Sequence, residues 1–71
     1  MRAVAVIVDG PYSGGINDDG EHPVWYVQRI DDDDGEVGKA VTWKSFDGAV
    51  QMGYSIARQE HLELVLEASP A

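Results

Sequence analysis

The chain contains no cysteine. That excludes disulfide staples, a thiol nucleophile and any thiolate metal site. Basic residues are scarce: five lysines and arginines stand against thirteen acids, for a net charge of −8. A surface so charged repels phosphate backbones, and no basic stripe offsets it, so we expect no direct contact with nucleic acid. Long apolar runs are also missing. The stretch from Ala3 to Val8 is too short, and too poor in flanking bases, for a signal peptide, and no stretch has the length that crosses a membrane. The expectation is a soluble, cytoplasmic protein. The glycines of residues 10–22 match neither the Walker spacing nor G-x-G-x-x-G, and the acids nearby disfavour an anion site.

What is present is one domain's worth of chain. At 71 residues we expect a single α+β domain over residues 1–71. Its core is modest and unstapled, so oligomerisation is a natural way to gain burial. The charge is uneven. Residues 9–36 carry nine acids and one base, Arg29; the rest of the chain balances four acids with four bases.

The helical period points to one helix, Phe46 to Glu60. Ser45 is its expected N-cap, and Asp47 suits the positive end of the dipole. Phe46, Val50, Gly53 and Ala57 fall on one line, flanked by Ala49 and Ile56 on one side and Tyr54 on the other. Gly53 costs about 1 kcal/mol relative to alanine in a helix interior. Its place on the apolar stripe predicts close approach of the helix backbone to a sheet.

Four strands are expected around that helix. Arg2 to Val8 is apolar on both alternating faces, as central strands are, and Asp9-Gly10-Pro11 should end it. Pro23 to Ile30 and Val37 to Trp43 form a hairpin across the acidic turn Asp31 to Glu36. Centring it on Asp34 sets Trp25 opposite Trp43, Val27 opposite Val41 and Arg29 opposite Lys39, with the turn supplying the counter-charge. Leu62 to Ala68 alternates, placing Leu62, Leu64 and Leu66 inward. The order is β-β-β-α-β: a four-stranded, mostly antiparallel sheet with the helix on the Trp face, over Trp25 and Trp43.

Little of this carries catalytic chemistry. The four aspartates suggest calcium, but aligning Gly35 with the sixth EF-hand position puts Ile30 first and Val41 twelfth, and aligning Gly20 puts Gly15 and Tyr26 there. A solvated turn explains them. His22 and His61 are the only histidines, with no serine and acid at a recognisable spacing. We expect no catalytic residue, no cofactor and no metal.

Two resemblances exist. The W-Y-V strand, the A-x(7)-A step of Ala49 and Ala57, and L-x-L-V at Leu62 to Val65 resemble small bacterial domains of unknown function with a hairpin, an alanine-rich helix and a last strand. The Ser45 to Ala49 step also resembles the helix entry of HicB-type antitoxin domains. The chain lacks the proline-glycine-cysteine-like segment of an antitoxin and ends in a strand instead of a further helix. Neither resemblance implies a catalytic residue.

The expected function is a non-catalytic, acidic interaction module. The helix covers one sheet face, leaving Val24, Tyr26, Ile30, Ala40 and Val65 on the other, with either Ala3, Ala5 and Ile7 or the valines of the first strand; Gln28 and Thr42 share that face, and the alternative is that they keep it wet enough for a monomer. A patch of that kind points to a homodimer packed sheet on sheet with Tyr26 near its centre. Asp31, Asp32, Asp33 and Asp34 suit a basic protein partner. The alternatives are an antitoxin-like or nucleic-acid-mimicking inhibitor of a basic protein, a small metal-dependent hydrolytic enzyme, and an acidic surface that merely suits a salt-rich cytoplasm.

Overall fold

The computed structural model describes residues 2–13, 23–33 and 35–70. Its elements are β1 (Ala5–Ser13), β2 (Pro23–Ile30), β3 (Glu36–Trp43), α1 (Phe46–Glu60) and β4 (Glu63–Ala68). The expected β-β-β-α-β order and α+β class are therefore found. The sheet order is β3-β2-β1-β4. The β1–β2 and β2–β3 pairs are antiparallel and β1–β4 is parallel, so the sheet is mixed.

The doubly apolar β1 is central, as its sequence demands. Val6 and Val8 point toward α1 and are fully buried, whereas Ala5 and Ile7 stand on the opposite face. This settles the facing that the sequence left open. Contrary to expectation, Asp9-Gly10-Pro11 does not end the strand. The register passes from Asp9 opposite Tyr26 to Tyr12 opposite Val24, so a bulge absorbs the turn signal and the strand bends instead of stopping. Gly10 makes this possible, because its φ is 132° and a Cβ there would lie 2.9 Å from Trp25 Cδ1.

The hairpin sets Trp25 opposite Trp43 and Val27 opposite Val41, as expected, and then departs from the simple register. Arg29 faces Val37, not Lys39. Gly38 to Ala40 together stand opposite Gln28, with Gly38 at φ 76°. The bulge turns carbonyls away from the ladder. Gln28 compensates: its Nε2 shares two N–H groups among the carbonyl oxygens of Arg29 at 3.0 Å and of Val37 and Gly38 at 3.2 Å. Arg29 finds its counter-charge in the helix, not in the acidic turn. Its Nε and Nη2 donate to the Glu60 carboxylate at 2.9 and 2.6 Å.

The helix has the bounds its caps suggest. Ser45 Oγ accepts from the Gly48 N–H at 3.0 Å, and His61 closes the other end in the left-handed conformation. Its buried residues are Ala49, Gly53, Ile56 and Ala57, so the stripe leans to the Ala49 and Ile56 side and leaves Tyr54 exposed. Gly53 serves the close approach expected of it: a Cβ there would collide with Val8 Cγ2 and stand 3.3 Å from Leu64 Cδ1. It lies over β1 and β4, not over the two tryptophans. Trp25 is buried edge-on to Phe46, at 6.2 Å between ring centroids, and donates its indole N–H to Ser69 O at 2.9 Å. Trp43 is half-buried beside Gly48, where a Cβ would stand 2.7 Å from Cε3. Leu66 was expected inward but is 53% exposed. It sits on an edge strand, one inward position beyond Leu64, the residue that Gly53 of α1 approaches.

Candidate binding groove on the open sheet face

One helix covers one face. The pleat then assigns the other face residue by residue: Ala5, Ile7 and Asp9 from β1; Val24, Tyr26, Gln28 and Ile30 from β2; Glu36, Ala40 and Thr42 from β3; Glu63, Val65 and Glu67 from β4. Past its bulge, β1 adds Tyr12. A groove of about 380 Å³ opens here, floored by Ile7, Tyr26, Gln28 and Ile30, with Asp9, Tyr12, Glu36 and Ala40 completing its lining.

The residues expected to form an open patch divide on inspection. Tyr26 and Ile30 are half-buried and line the groove with exposed Ala40. Val65 is half-buried on the adjoining edge strand, beside Ile7 in the register. Val24 is 4% exposed, opposite Tyr12, and so offers no surface.

The tyrosines are held in place. Tyr12 and Tyr26 meet edge to face, 5.4 Å between centroids. The Tyr12 hydroxyl donates to Asp9 Oδ2 at 2.5 Å, and the Gly10 N–H donates to Asp9 Oδ1 at 2.9 Å. The hydrogen bond to the Asp9 carboxylate is the main cause that raises the Tyr12 phenol above its ordinary 10.0, with smaller contributions from desolvation and from the charges of Asp9, Tyr26 and Glu67. Alternation along β2 had already placed Gln28 on this face, but sequence reasoning missed Asp9, Tyr12 and Glu36 as parts of it. The signal for Tyr12 lay in reading Gly10 as a bulge glycine instead of a strand end.

The acidic turn is a different kind of structure. Asp31 is buried, and its Oδ1 accepts from the Asp33 and Gly35 N–H groups at 2.9 and 2.8 Å, while its own N–H donates to Gly35 O. It is therefore not available to a partner, because its side chain replaces the backbone bonds that the turn lacks. Asp32 and Asp33 are exposed, and a carboxylate oxygen of each lies within 4.8 Å of one from Asp31. The turn geometry alone accounts for that closeness. Asp34 lies outside the described residues, as do His22 and the loop that holds it. His61 is exposed at the helix end.

Among the described residues, no helix is long and apolar enough to cross a membrane. Among known proteins, no family model matches the chain, and neither a curated protein nor a solved structure matches it.

Proposed function

We propose that the protein is a non-catalytic interaction module that docks a protein partner on the open face of its sheet. The observation that carries this reading is the groove. It sets two tyrosines and two isoleucines in an accessible concavity on the face opposite the helix. Surfaces that combine aromatic anchors with a polar rim are the ones proteins use to bind each other. The expected homodimer is one form of this reading. A short chain without disulfides gains burial when that face is covered by a second copy.

A photoreactive amino acid placed at Ala40, on the groove's exposed rim, tests the reading inside cells. A discrete cross-linked product is expected from Ala40 and not from Gln51, on the exposed side of the helix. The reading is wrong if Ala40 gives no discrete product, or if Gln51 gives the same one.

A further inference from the structure

Resting on that reading, we propose that the groove takes a cationic segment of a different protein, with a lysine or arginine side chain lying against Tyr12 and Tyr26 and ringed by carboxylates. Four observations converge on this occupant. First, the face is acidic without compensation. Asp9 and Glu36 line the groove, Glu63 and Glu67 stand on the same face of the neighbouring strand, and none of the chain's five bases lines it. Second, Asp9 and Glu67 are direct neighbours in the parallel register. Like charges side by side on one sheet face are unfavourable for the isolated domain. A bound cation relieves that repulsion.

Third, the polar groups of the groove are set up to accept. Nε2 of Gln28 is committed to three backbone carbonyls, which fixes the amide orientation and leaves Oε1 without a donor among the described residues. The Tyr12 hydroxyl already donates its hydrogen bond to Asp9. The groove therefore offers carboxylates, an amide oxygen and aromatic rings, which together suit an ammonium or guanidinium group. Fourth, a second copy fits the same surface poorly. A second copy brings the same uncompensated acids to the interface and joins two chains of charge −8. A basic strand or helix with apolar residues between its charges meets both the isoleucines and the acids.

NMR titration of the intact chain with a defined probe tests this. The probe is a peptide of about ten residues alternating lysine and leucine, set against its glutamate-for-lysine counterpart. The lysine peptide should shift Ile7, Tyr12, Tyr26 and Ala40, and the glutamate peptide should not. Its affinity should fall at least about tenfold as salt rises from roughly 0.05 to 0.5 M, because exposed charges are then screened. The double substitution Glu36→Gln with Glu67→Gln, at two exposed positions, should weaken it by a similar factor while leaving the circular dichroism unchanged. The Tyr26→Lys chain should lose the site. Shifts centred on Asp32 and Asp33, or an affinity indifferent to the double substitution, overturn the proposal. So does a dimer in sedimentation that Tyr26→Lys dissociates and the peptide does not. That last result removes the cationic occupant but leaves the docking face standing. A monomer that binds neither peptide and yields no Ala40 cross-link removes both.

Discussion

The two faces of this sheet carry similar apolar residues and meet different fates. On the helix side, Val6, Val8, Trp25 and Val27 are sealed beneath Ala49, Gly53, Ile56 and Ala57. On the open side, Ile7, Tyr26 and Ile30 line a groove beside Asp9 and Glu36. Hydrophobicity alone does not separate them, since β1 alternates valine with alanine and isoleucine. Shape and charge do. Helix backbone can descend onto Val8 because Gly53 has no side chain, whereas a helix lowered onto the other face would strip water from Asp9, Glu63 and Glu67. Burying unpaired carboxylates costs far more than covering one more isoleucine returns.

The sharpest way to break this comparison is to remove an aromatic from each face. Trp25→Ala takes away a buried ring and its bond to Ser69 O, and should cost about 3–5 kcal/mol, most of the stability of so small a domain. Tyr26→Ala on the open face should cost under about 1 kcal/mol, as half-exposed positions do. Urea denaturation of both variants measures the pair. Equal losses would mean that the open face belongs to the core.

A single methyl group makes the next test. At most helix positions Gly→Ala stabilises by about 1 kcal/mol. At Gly53 the added Cβ meets Val8 and Leu64, so Gly53→Ala should instead destabilise by about 1–3 kcal/mol through overpacking. Gly53→Ala combined with Val8→Ala should recover part of that loss. If Gly53→Ala raises the melting temperature, the helix does not sit as close to β1 as described.

Acids, too, divide by duty. Asp31 holds the hairpin turn with its buried carboxylate, so Asp31→Ala should cost about 1–3 kcal/mol by removing the acceptor of two part-buried backbone donors. Asp32→Ala, at an exposed position of the same turn, should stay within about 0.5 kcal/mol. Thermal melts of the two variants separate a structural acid from a surface one. Comparable values would return Asp31 to the surface acids, where composition alone had put it.

Much of the architecture was legible, for reasons that can be named. Period, the Ser45 cap and the His61 end fixed α1, and the Trp25–Trp43 and Val27–Val41 pairs fixed the near half of the hairpin. What could not be read was irregularity. Two bulges, at Gly10 and at Gly38 to Ala40, each mimic a turn signal or preserve alternation while shifting the register. One brought Tyr12 onto the open face, and the other moved Arg29 from Lys39 to Val37. The Arg29–Glu60 pair spans 31 positions of chain, and no local pattern announces it. The groove inherits the first of these, because Tyr12 owes its place to the bulge at Gly10, while Asp9 and Gln28 follow plain alternation. Leu66 failed differently. Its alternation is inward, but the reach of a single helix across an edge strand is a matter of placement, not of period.

The smallest expected effect uses pH to address the two sides of the sheet separately. Arg29 donates to Glu60 and holds its carboxyl below the ordinary 4.5. A lowered acid favours the folded state when ionised. That stability is fully present above pH 4.5 and is lost as pH falls through the lowered value. On the open face the sign reverses. The Asp9 carboxylate keeps the Tyr12 phenol protonated beyond its ordinary 10.0, so its contribution is present below pH 10.0 and is lost as pH rises through the raised value. Both pairs are solvent-exposed, so each limb should be shallow and should flatten further in salt. Thermal melts across the pH range should show Glu60→Gln removing part of the acid limb alone, and Tyr12→Phe removing part of the alkaline limb alone. If Tyr12→Phe instead alters the acid limb, the Tyr12–Asp9 pair is not the contact described, and the groove loses the bond that holds its first aromatic wall in place.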